Sequence, residues 1–310
     1  MSNDQIHVAL CADAGFAVPL ATAVASLATA ATTPTTVHVL QSGFDDDLKR
    51  RIELGSTGLD VHWYSIDEED LVGVHNTEFL STAALFRLML GSVLPPSVRR
   101  VIYVDSDTVV CSDLDELWST PLDGRVLGAV RDAWSPWAAG VCGPDWEALE
   151  LNPGASYFNS GVLLIDMSLW RSQTVGQKCL DLLSRARARW GDQDALNVVL
   201  AERWRELPRK WNVQTPDLLH SSFAWALWRE EIEAAVIAPA IVHYTLRDKP
   251  WMPGSTHPAT SRWLAALDRT AWCGWRPPPA EDPSELLRRM TAAARAVRRW
   301  TQDRRSRLPA

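Results

Sequence analysis

Residues Arg100–Asp113 read RVIYVDSDTVVCSD, and the fold class is decided by how this stretch begins and where it stops. Val101-Ile102-Tyr103-Val104 is an unbroken apolar run, the pattern of a strand buried on both faces. The run stops on Asp105-Ser106-Asp107. Paired carboxylates are a poor way to build a core. Unpaired buried charge is costly, so such acids are neutralised by a cation or by hydrogen-bond donors. Oxygen ligands in a cleft suit a hard divalent ion that also grips a pyrophosphate. The competing explanation is a strand-end turn in which one Asp caps the next segment, because Asp-x-Asp alone is common. The flanking chain decides between them.

Upstream, Ile6–Cys11 is a short apolar run ending in Ala12-Asp13-Ala14-Gly15, and Pro19 stands near the start of an Ala-rich helix reaching Ala31. Val37–Leu40 and Val61–Ile66 read as strands, with a polar helix over Asp45–Leu54 between them. Strands alternating with helices mean βαβ units and a mainly parallel sheet. Ligands of such sheets lie beyond the carboxyl ends of the strands, where Asp13 and Asp105 both fall. Asp67–Ser81 is acidic and irregular; Thr82–Gly91, TAALFRLMLG, reads as an apolar helix with a single charge, Arg87. That arginine either snorkels to water or is held near the Asp cluster or a phosphate.

Downstream, Asp113 reads as a helix N-cap and Val126–Val130 as a strand. Asp132–Gly154 is a long loop with Trp134, Trp137 and Trp146, and loops of that length are often functional. Their ring faces can stack on sugars, although most of the 16 Trp must be packing. Ser156–Asp166 is a turn feeding a strand, with Asn159 and Ser160 just before Gly161; Asn159 either closes the turn or reaches a ligand hydroxyl. Val175–Trp190 is helical. Gly191–Asn197, GDQDALN, opens another helix, with Asp192 as its N-cap and Gln193 and Asp194 in the first turn. Ala240–Tyr244 is a late strand carrying His243, followed by Lys249 in a loop. A histidine with two aspartates makes a site for Mn²⁺, which takes imidazole more readily than Mg²⁺ does, and Lys249 is a point charge for a phosphate.

The 310 residues suit one large domain or one domain with an appendage. The net charge of −7 conceals an asymmetry: residues 281–310 hold eight Arg against four acids, so the other 280 residues carry −11. An acidic body argues against a nucleic-acid partner. Five Cys, at 11, 111, 142, 179 and 273, form no Cys-x-x-Cys pair, which favours reduced thiols and a cytoplasmic chain. The N-terminus lacks a basic signal-peptide region, and the apolar stretch Ala17–Ala31 is too short to span a bilayer.

The ordered set C-A-D at 11–13, F-R-L at 86–88, V-I-Y-V-D-S-D at 101–107, Y-F-N-S-G-V-L-L-I-D at 157–166, G-D-Q-D-A-L-N at 191–197 and H-Y-T-L-R-D-K-P-W at 243–251 closely resembles glycosyltransferase family 8. The bacterial lipopolysaccharide galactosyl- and glucosyltransferases are the group most resembled. The resemblance covers about residues 6–270 and implies a GT-A fold, a Rossmann-like single domain, placed over residues 1–276; Pro277-Pro278-Pro279 then marks a Pro-rich linker before a basic tail, together 277–310. The resemblance implies transfer of galactose or glucose from a UDP-sugar, with retention of configuration, to a glycan, lipid-linked or small-molecule hydroxyl. It implies Mn²⁺, or Mg²⁺, held by Asp105, Asp107 and His243. Asp13 and Phe16 then lie at the uracil, Arg87 and Ser106 contact the donor, Asn159, Ser160, Asp192 and Gln193 face the sugar, and Lys249 meets the diphosphate. Gln193 and Asp194 are the catalytic candidates, Asp194 as a covalent nucleophile or Gln193 as an amide that steadies an oxocarbenium-like centre. Two positions depart from the family pattern: Gly15 replaces a polar residue and Leu246 replaces a glycine.

Two other functions compete: a sugar-nucleotide-binding module with impaired turnover, and a glycogenin-type self-glucosylating primer, which needs an accessible Tyr among 64, 103, 157 and 244. Finally, 284–305 reads as a helix with Leu286, Met290, Ala293, Val297 and Trp300 on one face and Arg288, Arg295, Arg298 and Arg299 mostly opposite. That pattern suits a peripheral helix lying on an anionic membrane, here at the inner face.

Overall fold

The computed structural model describes residues 5–74, 81–140, 143–186, 188–221 and 226–279. The tail expected over 284–305 lies outside the described residues. The described residues hold ten strands: β1 (Ile6–Asp13), β2 (Thr35–Ser42), β3 (Leu59–Ser65), β4 (Arg100–Val104), β5 (Thr108–Val110), β6 (Leu127–Arg131), β7 (Phe158–Asp166), β8 (Trp204–Glu206), β9 (Val213–Gln214) and β10 (Ile241–His243). Seven of them form the main sheet in the order β3-β2-β1-β4-β7-β6-β8, and β5-β10-β9 form a small second sheet. β3, β2, β1 and β4 run parallel, as does β8 with β6; β7 alone is antiparallel to both its neighbours. The expected α/β, GT-A-like architecture with a mainly parallel sheet is present.

The apolar run of β4 behaves as its composition demands. Val101 and Tyr103 enter the core on one side of the sheet, and Ile102 and Val104 enter the core on the other. All four are at most 1% exposed. Burying each apolar side chain contributes about 1.5–3 kcal/mol relative to leaving it in water. The Ala-rich helix Ala17–Ala30 covers one face, its small side chains letting Leu20, Val24 and Leu27 sink fully against the strands. The helix Val175–Arg185 and the segment Thr82–Met89 cover the other face.

One local expectation is refined and one corrected. The helix expected over Thr82–Gly91 is present, as a 3₁₀ helix over Thr82–Met89 followed by one α-turn over Leu90–Val93. Ala83, Leu85, Phe86, Arg87 and Leu88 are all buried, so packing surrounds the segment and overrides propensity. Asn159 and Ser160 stand inside β7 and not in a turn before it. There the β6–β7 register jumps: Ala129 pairs with Leu163, but Val130 pairs with Asn159. The bulge leaves Ser160, Gly161 and Val162 without partners on β6 and re-aims their backbone groups.

The joint between the two sheets positions the site. Only Asp105, Ser106 and Asp107 separate β4 from β5, so the carboxylates sit where one sheet hands over to the other. β10 pairs with β5 so that His243 lies opposite Thr108, and the Tyr244 N–H donates to the Asp107 carbonyl at 2.9 Å. On the other side, the Asp105 N–H donates to the Gly161 carbonyl of β7 at 2.8 Å. Among the described residues no helix is long and apolar enough to cross a membrane. Cys11, Cys111, Cys179 and Cys273 are free thiols.

Candidate active site

Asp105, Asp107 and His243 each offer one ligand atom, and these atoms lie within 4.8 Å of one another. His243 Nε2 is 3.2 Å from Asp107 Oδ1 and 3.7 Å from Asp105 Oδ2. The approach depends on Gly161. A β-carbon there would lie 2.1 Å from His243 Cε1 and 2.8 Å from Asp105 Oδ2. One imidazole and two carboxylates, open to a cleft through half-buried Asp105 and Asp107, fit a divalent cation of the Mn²⁺ type. Burial alone would raise the Asp107 carboxyl, but Lys249 and His243 beside it hold it well below the usual range. The Lys249 ammonium is 2.5 Å from Asp107 Oδ2 and also bonds the Tyr244 carbonyl.

Arg87 takes the sharper of its two readings. Its Nη2 lies 2.9 Å from Asp105 Oδ1, its Nε lies 2.8 Å from Asp192 Oδ2, and its Nη1 donates to the Ser160 carbonyl at 2.7 Å. The guanidinium also stacks over the Tyr103 ring, whose hydroxyl donates to Asp105 at 2.7 Å. Burial opposes the arginine's charge, yet Asp105 and Asp192 outweigh it and keep the group fully protonated. Removing one partner of so buried a pair costs about 3–5 kcal/mol, because a naked charge is left behind. Asp192 is therefore not the N-cap of its helix. That helix is Asp192–Val199, and its cap is Gly191, at φ 55° and ψ −123°, a conformation glycine reaches without a Cβ clash. The turn drives the Asp192 carboxylate inward, where burial lifts it to about 6 against the pull of Arg87.

Gln193 sits at the centre of a polar net. Its Oε1 accepts from Asn159 Nδ2 and from the Ser160 N–H, both at 3.1 Å. Its Nε2 donates to Asp132 Oδ2 and to the Tyr157 hydroxyl oxygen, both at 3.3 Å. Asp194 points the other way. It is 0% exposed, accepts from the Tyr157 hydroxyl at 2.5 Å and from the Trp190 N–H at 2.8 Å, and burial raises it to about 6. It presents no surface to the cleft.

The remaining sequence candidates lie around the same cleft. Asp13 ends β1, caps the turn Ala14–Phe16 and accepts from Ser81. Phe16 packs edge-on against Trp251, with ring centroids 5.5 Å apart. The Ser106 hydroxyl is buried and donates to the Cys11 carbonyl at 2.7 Å. Asp113 lies apart from the site, accepting from Thr32 and from the Asp115 N–H. Leu246 has φ 70° and is 46% exposed.

The sequence reading missed three members of the net. Asp132 opens the Trp-containing loop and touches both Asn159 and Gln193. Tyr157 joins Gln193 to Asp194. Asn212, 0% exposed, joins His243 Nδ1 at 3.0 Å to Asn159 Oδ1 at 2.9 Å. Asp132 carried a weak signal, an acid directly after a strand; the other two carried none. Tyr103, Tyr157 and Tyr244 are buried, which leaves the half-buried Tyr64, whose hydroxyl contacts the His38 ring, as the one tyrosine within reach of a self-glucosylation reading.

With that geometry established, the likenesses of the chain are informative. A sequence model of Glycosyl transferase family 8 matches residues 7–253. General stress protein A of Bacillus subtilis (strain 168) is 28% identical over 285 residues, covering 88% of this chain and 96% of that protein. Lipopolysaccharide 1,2-glucosyltransferase of Escherichia coli (strain K12) is 26% identical, covering 81% of this chain and 72% of that protein. A galactosyltransferase crystallised with donor and acceptor sugar analogues superposes with a TM-score of 0.74 at 24% identity, covering 86% of this chain and 96% of that one.

Proposed function

The chain belongs to glycosyl transferase family 8, and on that premise we propose that it moves galactose or glucose from a UDP-sugar onto a hydroxyl of a glycan or lipid-linked acceptor, with retention of configuration. The observation that carries this reading is the convergence of Asp105, Asp107 and His243 at the joint of the two sheets. In the proposal these residues hold Mn²⁺ or Mg²⁺, which neutralises charge on the departing diphosphate when bound.

The protein's own groups do the rest. Lys249, already poised at Asp107, supplies a second positive charge toward the diphosphate. Asp13 and Phe16 form the floor for the uracil. Arg87 pairs with both Asp105 and Asp192, Ser106 stands with it at the donor, and Asp192, Asn159 and Ser160 face the sugar. Gln193 presents its amide to the anomeric carbon. Because Asp194 is sealed behind Tyr157 and the Trp190 N–H, same-face attack is favoured over a covalent intermediate. The acceptor oxygen bonds to the anomeric carbon, the bond to the phosphate oxygen breaks, and the acceptor proton passes to that phosphate.

The related enzyme from Escherichia coli acts on lipopolysaccharide, which suits an acceptor presented at a membrane, with the chain in the cytoplasm. The alternative, a module that binds sugar nucleotide with impaired turnover, draws on Leu246 standing where the family pattern has glycine. One experiment separates them. The full chain is incubated with UDP-glucose or UDP-galactose and Mn²⁺, and released UDP and free sugar are followed by NMR. UDP release with an α-configured product supports transferase chemistry. Donor binding without release supports the module, and neither binding nor release removes both readings.

A further inference from the structure

The polar net has a direction that the main chain dictates. Asn159 Oδ1 accepts from the Gly161 N–H at 3.0 Å, so the oxygen of that amide is fixed in place by the backbone. A second amide is fixed in the same way: Gln193 Oε1 accepts from the Ser160 N–H. With Asn159 Oδ1 an acceptor, the group of Asn212 facing it at 2.9 Å must be the Nδ2 donor. Asn212 Oδ1 then faces His243 Nδ1 at 3.0 Å, and it can only accept. His243 must carry a proton on Nδ1, so in the neutral ring Nε2, which faces Asp105 and Asp107, is the nitrogen left to ligate. Only that tautomer can ligate a cation through Nε2.

We propose that Asn212 is a positioning residue: it locks His243 as a cation ligand and, through Asn159, adds to the hold that the backbone already has on the amide of Gln193. The inference rests on the function proposed above, but its central claim, the tautomer of His243, is a property of the metal-free protein. The location of Asn212 suits the role. It ends the turn Arg209–Asn212, directly before β9. Two residues on, Gln214 accepts from the Ala133 N–H at 2.9 Å and donates to the Arg131 carbonyl at 3.0 Å. One short segment thus pins both the imidazole and the loop that carries Asp132. The buried Asn212 side chain has no room to turn, because each of its two ends already has a partner.

Two substitutions separate the two arms. Asn212→Ala removes both bonds. Asn212→Asp keeps an acceptor for His243 Nδ1–H but sets an oxygen against Asn159 Oδ1, so the arm toward Gln193 fails. For Asn212→Ala, Mn²⁺ affinity measured by calorimetry on the full chain should fall about 10- to 100-fold, the usual effect of losing an outer-shell partner. For Asn212→Asp, Mn²⁺ affinity should stay within about threefold, while kcat falls at least about tenfold with donor KM little changed. A merely structural role would lower thermal stability, Mn²⁺ affinity and turnover together in both variants. The decisive readout needs no variant: ¹⁵N NMR of the metal-free wild type should show the neutral ring of His243 protonated on Nδ1. A neutral His243 protonated on Nε2, or wild-type Mn²⁺ affinity in a folded Asn212→Ala, overturns the proposal. A wild type that binds neither Mn²⁺ nor UDP would sink the functional reading instead, and the tautomer would still decide this one.

Discussion

Gly161 faces His243 so closely that a β-carbon at position 161 would lie 2.1 Å from the imidazole Cε1 and 2.6 Å from Nδ1. Separations that short do not occur between real atoms, and neither neighbour is a flexible side-chain end. His243 is held by Asn212, and Asp105 Oδ2, 2.8 Å from the same point, belongs to a residue held by Arg87 and Tyr103. Gly161→Ala should therefore displace the imidazole. Overpacking of this kind costs about 1–3 kcal/mol, so the fold should survive while Mn²⁺-dependent UDP binding is lost. Calorimetry beside thermal unfolding checks it; unchanged UDP–Mn²⁺ affinity would show that His243 is not a ligand.

Gln193 and Asp194 are neighbours in sequence with opposite surroundings, and the proposed roles differ accordingly. Gln193→Ala should lower kcat strongly and leave donor binding largely intact, since its amide acts on the reacting sugar. Asp194→Asn should act through Tyr157. It weakens a buried charge-assisted hydrogen bond, costs about 1–3 kcal/mol of stability and reduces turnover only in part. No glycosyl adduct should form on Asp194. A sugar–peptide mass at that residue after incubation with donor would establish a double displacement.

Leu246 occupies left-handed backbone space, φ 70°, on an exposed loop immediately after His243-Tyr244-Thr245. An L-residue in that region is strained by roughly 1–2 kcal/mol. Glycine there relieves the strain but adds about 0.5–1 kcal/mol of unfolded-chain entropy. Leu246→Gly should thus raise stability by at most about 1.5 kcal/mol in urea unfolding, and tighten UDP binding by easing backbone approach to the phosphates. A less stable variant with weaker UDP binding would mean that Leu246 packs usefully against the loop.

These elements also mark what was legible in the sequence. β4 was readable because four consecutive apolar residues need burial on both faces. Arg87 was readable only as a choice between snorkelling to water and pairing with the Asp cluster, and its contacts with Asp105 and Asp192 decide it. The convergence of Asp105, Asp107 and His243 was readable because the two carboxylates directly follow one apolar strand and the histidine ends another. Tyr157 and Asn212 were not. Each is an uncharged residue beside apolar neighbours, and its partners stand 37 and 31 residues away, in Asp194 and His243. Asp192 was misread for a related reason: a local rule made it a helix cap, and a contact with Arg87 in another element overruled that rule. The direction of β7 and its bulge depend on pairing with β4 and β6, which hydrophobic periodicity does not encode.

A second cluster, at the far end of the sheet, sets a pH dependence. His7, His38 and His62 lie side by side on β1, β2 and β3, with Tyr64 on β3 and Asp60 beside His62. Burial pushes the His38 imidazole down to about 4, helped by repulsion from His7 and His62. The unfolded chain titrates this group near the ordinary value of 6.5. Between those values the unfolded state binds more protons, so the contribution of His38 is whole above pH 6.5 and is lost as pH falls toward 4. Asp192 and Asp194, raised to about 6, act in the opposite sense over part of that window. They are common to wild type and variant and cancel in a comparison. The stability deficit of His38→Gln relative to wild type should therefore shrink between about pH 7 and pH 5. A deficit that stays constant would mean that His38 does not titrate in this way.

The basic tail bears on where the acceptor is met. Its apolar residues, Leu286, Met290, Ala293, Val297 and Trp300, recur at spacings of a helical face, and the segment 281–310 is net +4 on a chain that is otherwise −11. An acidic body is repelled by an anionic surface, so any attraction must come from the tail. Each basic residue near such a surface contributes about 1 kcal/mol, reduced by salt. An attraction of that size would be weak and reversible, which would suit an enzyme that must leave one acceptor for the next. The full chain should co-sediment with vesicles containing anionic lipid at low salt, and a chain ending at Pro279 should not. Neutral vesicles should bind neither, and added salt should release the full chain. Equal sedimentation of both chains would place the membrane contact in the folded domain. No sedimentation of either at low salt would assign the apolar stripe to the protein's own body or to a second copy of the tail.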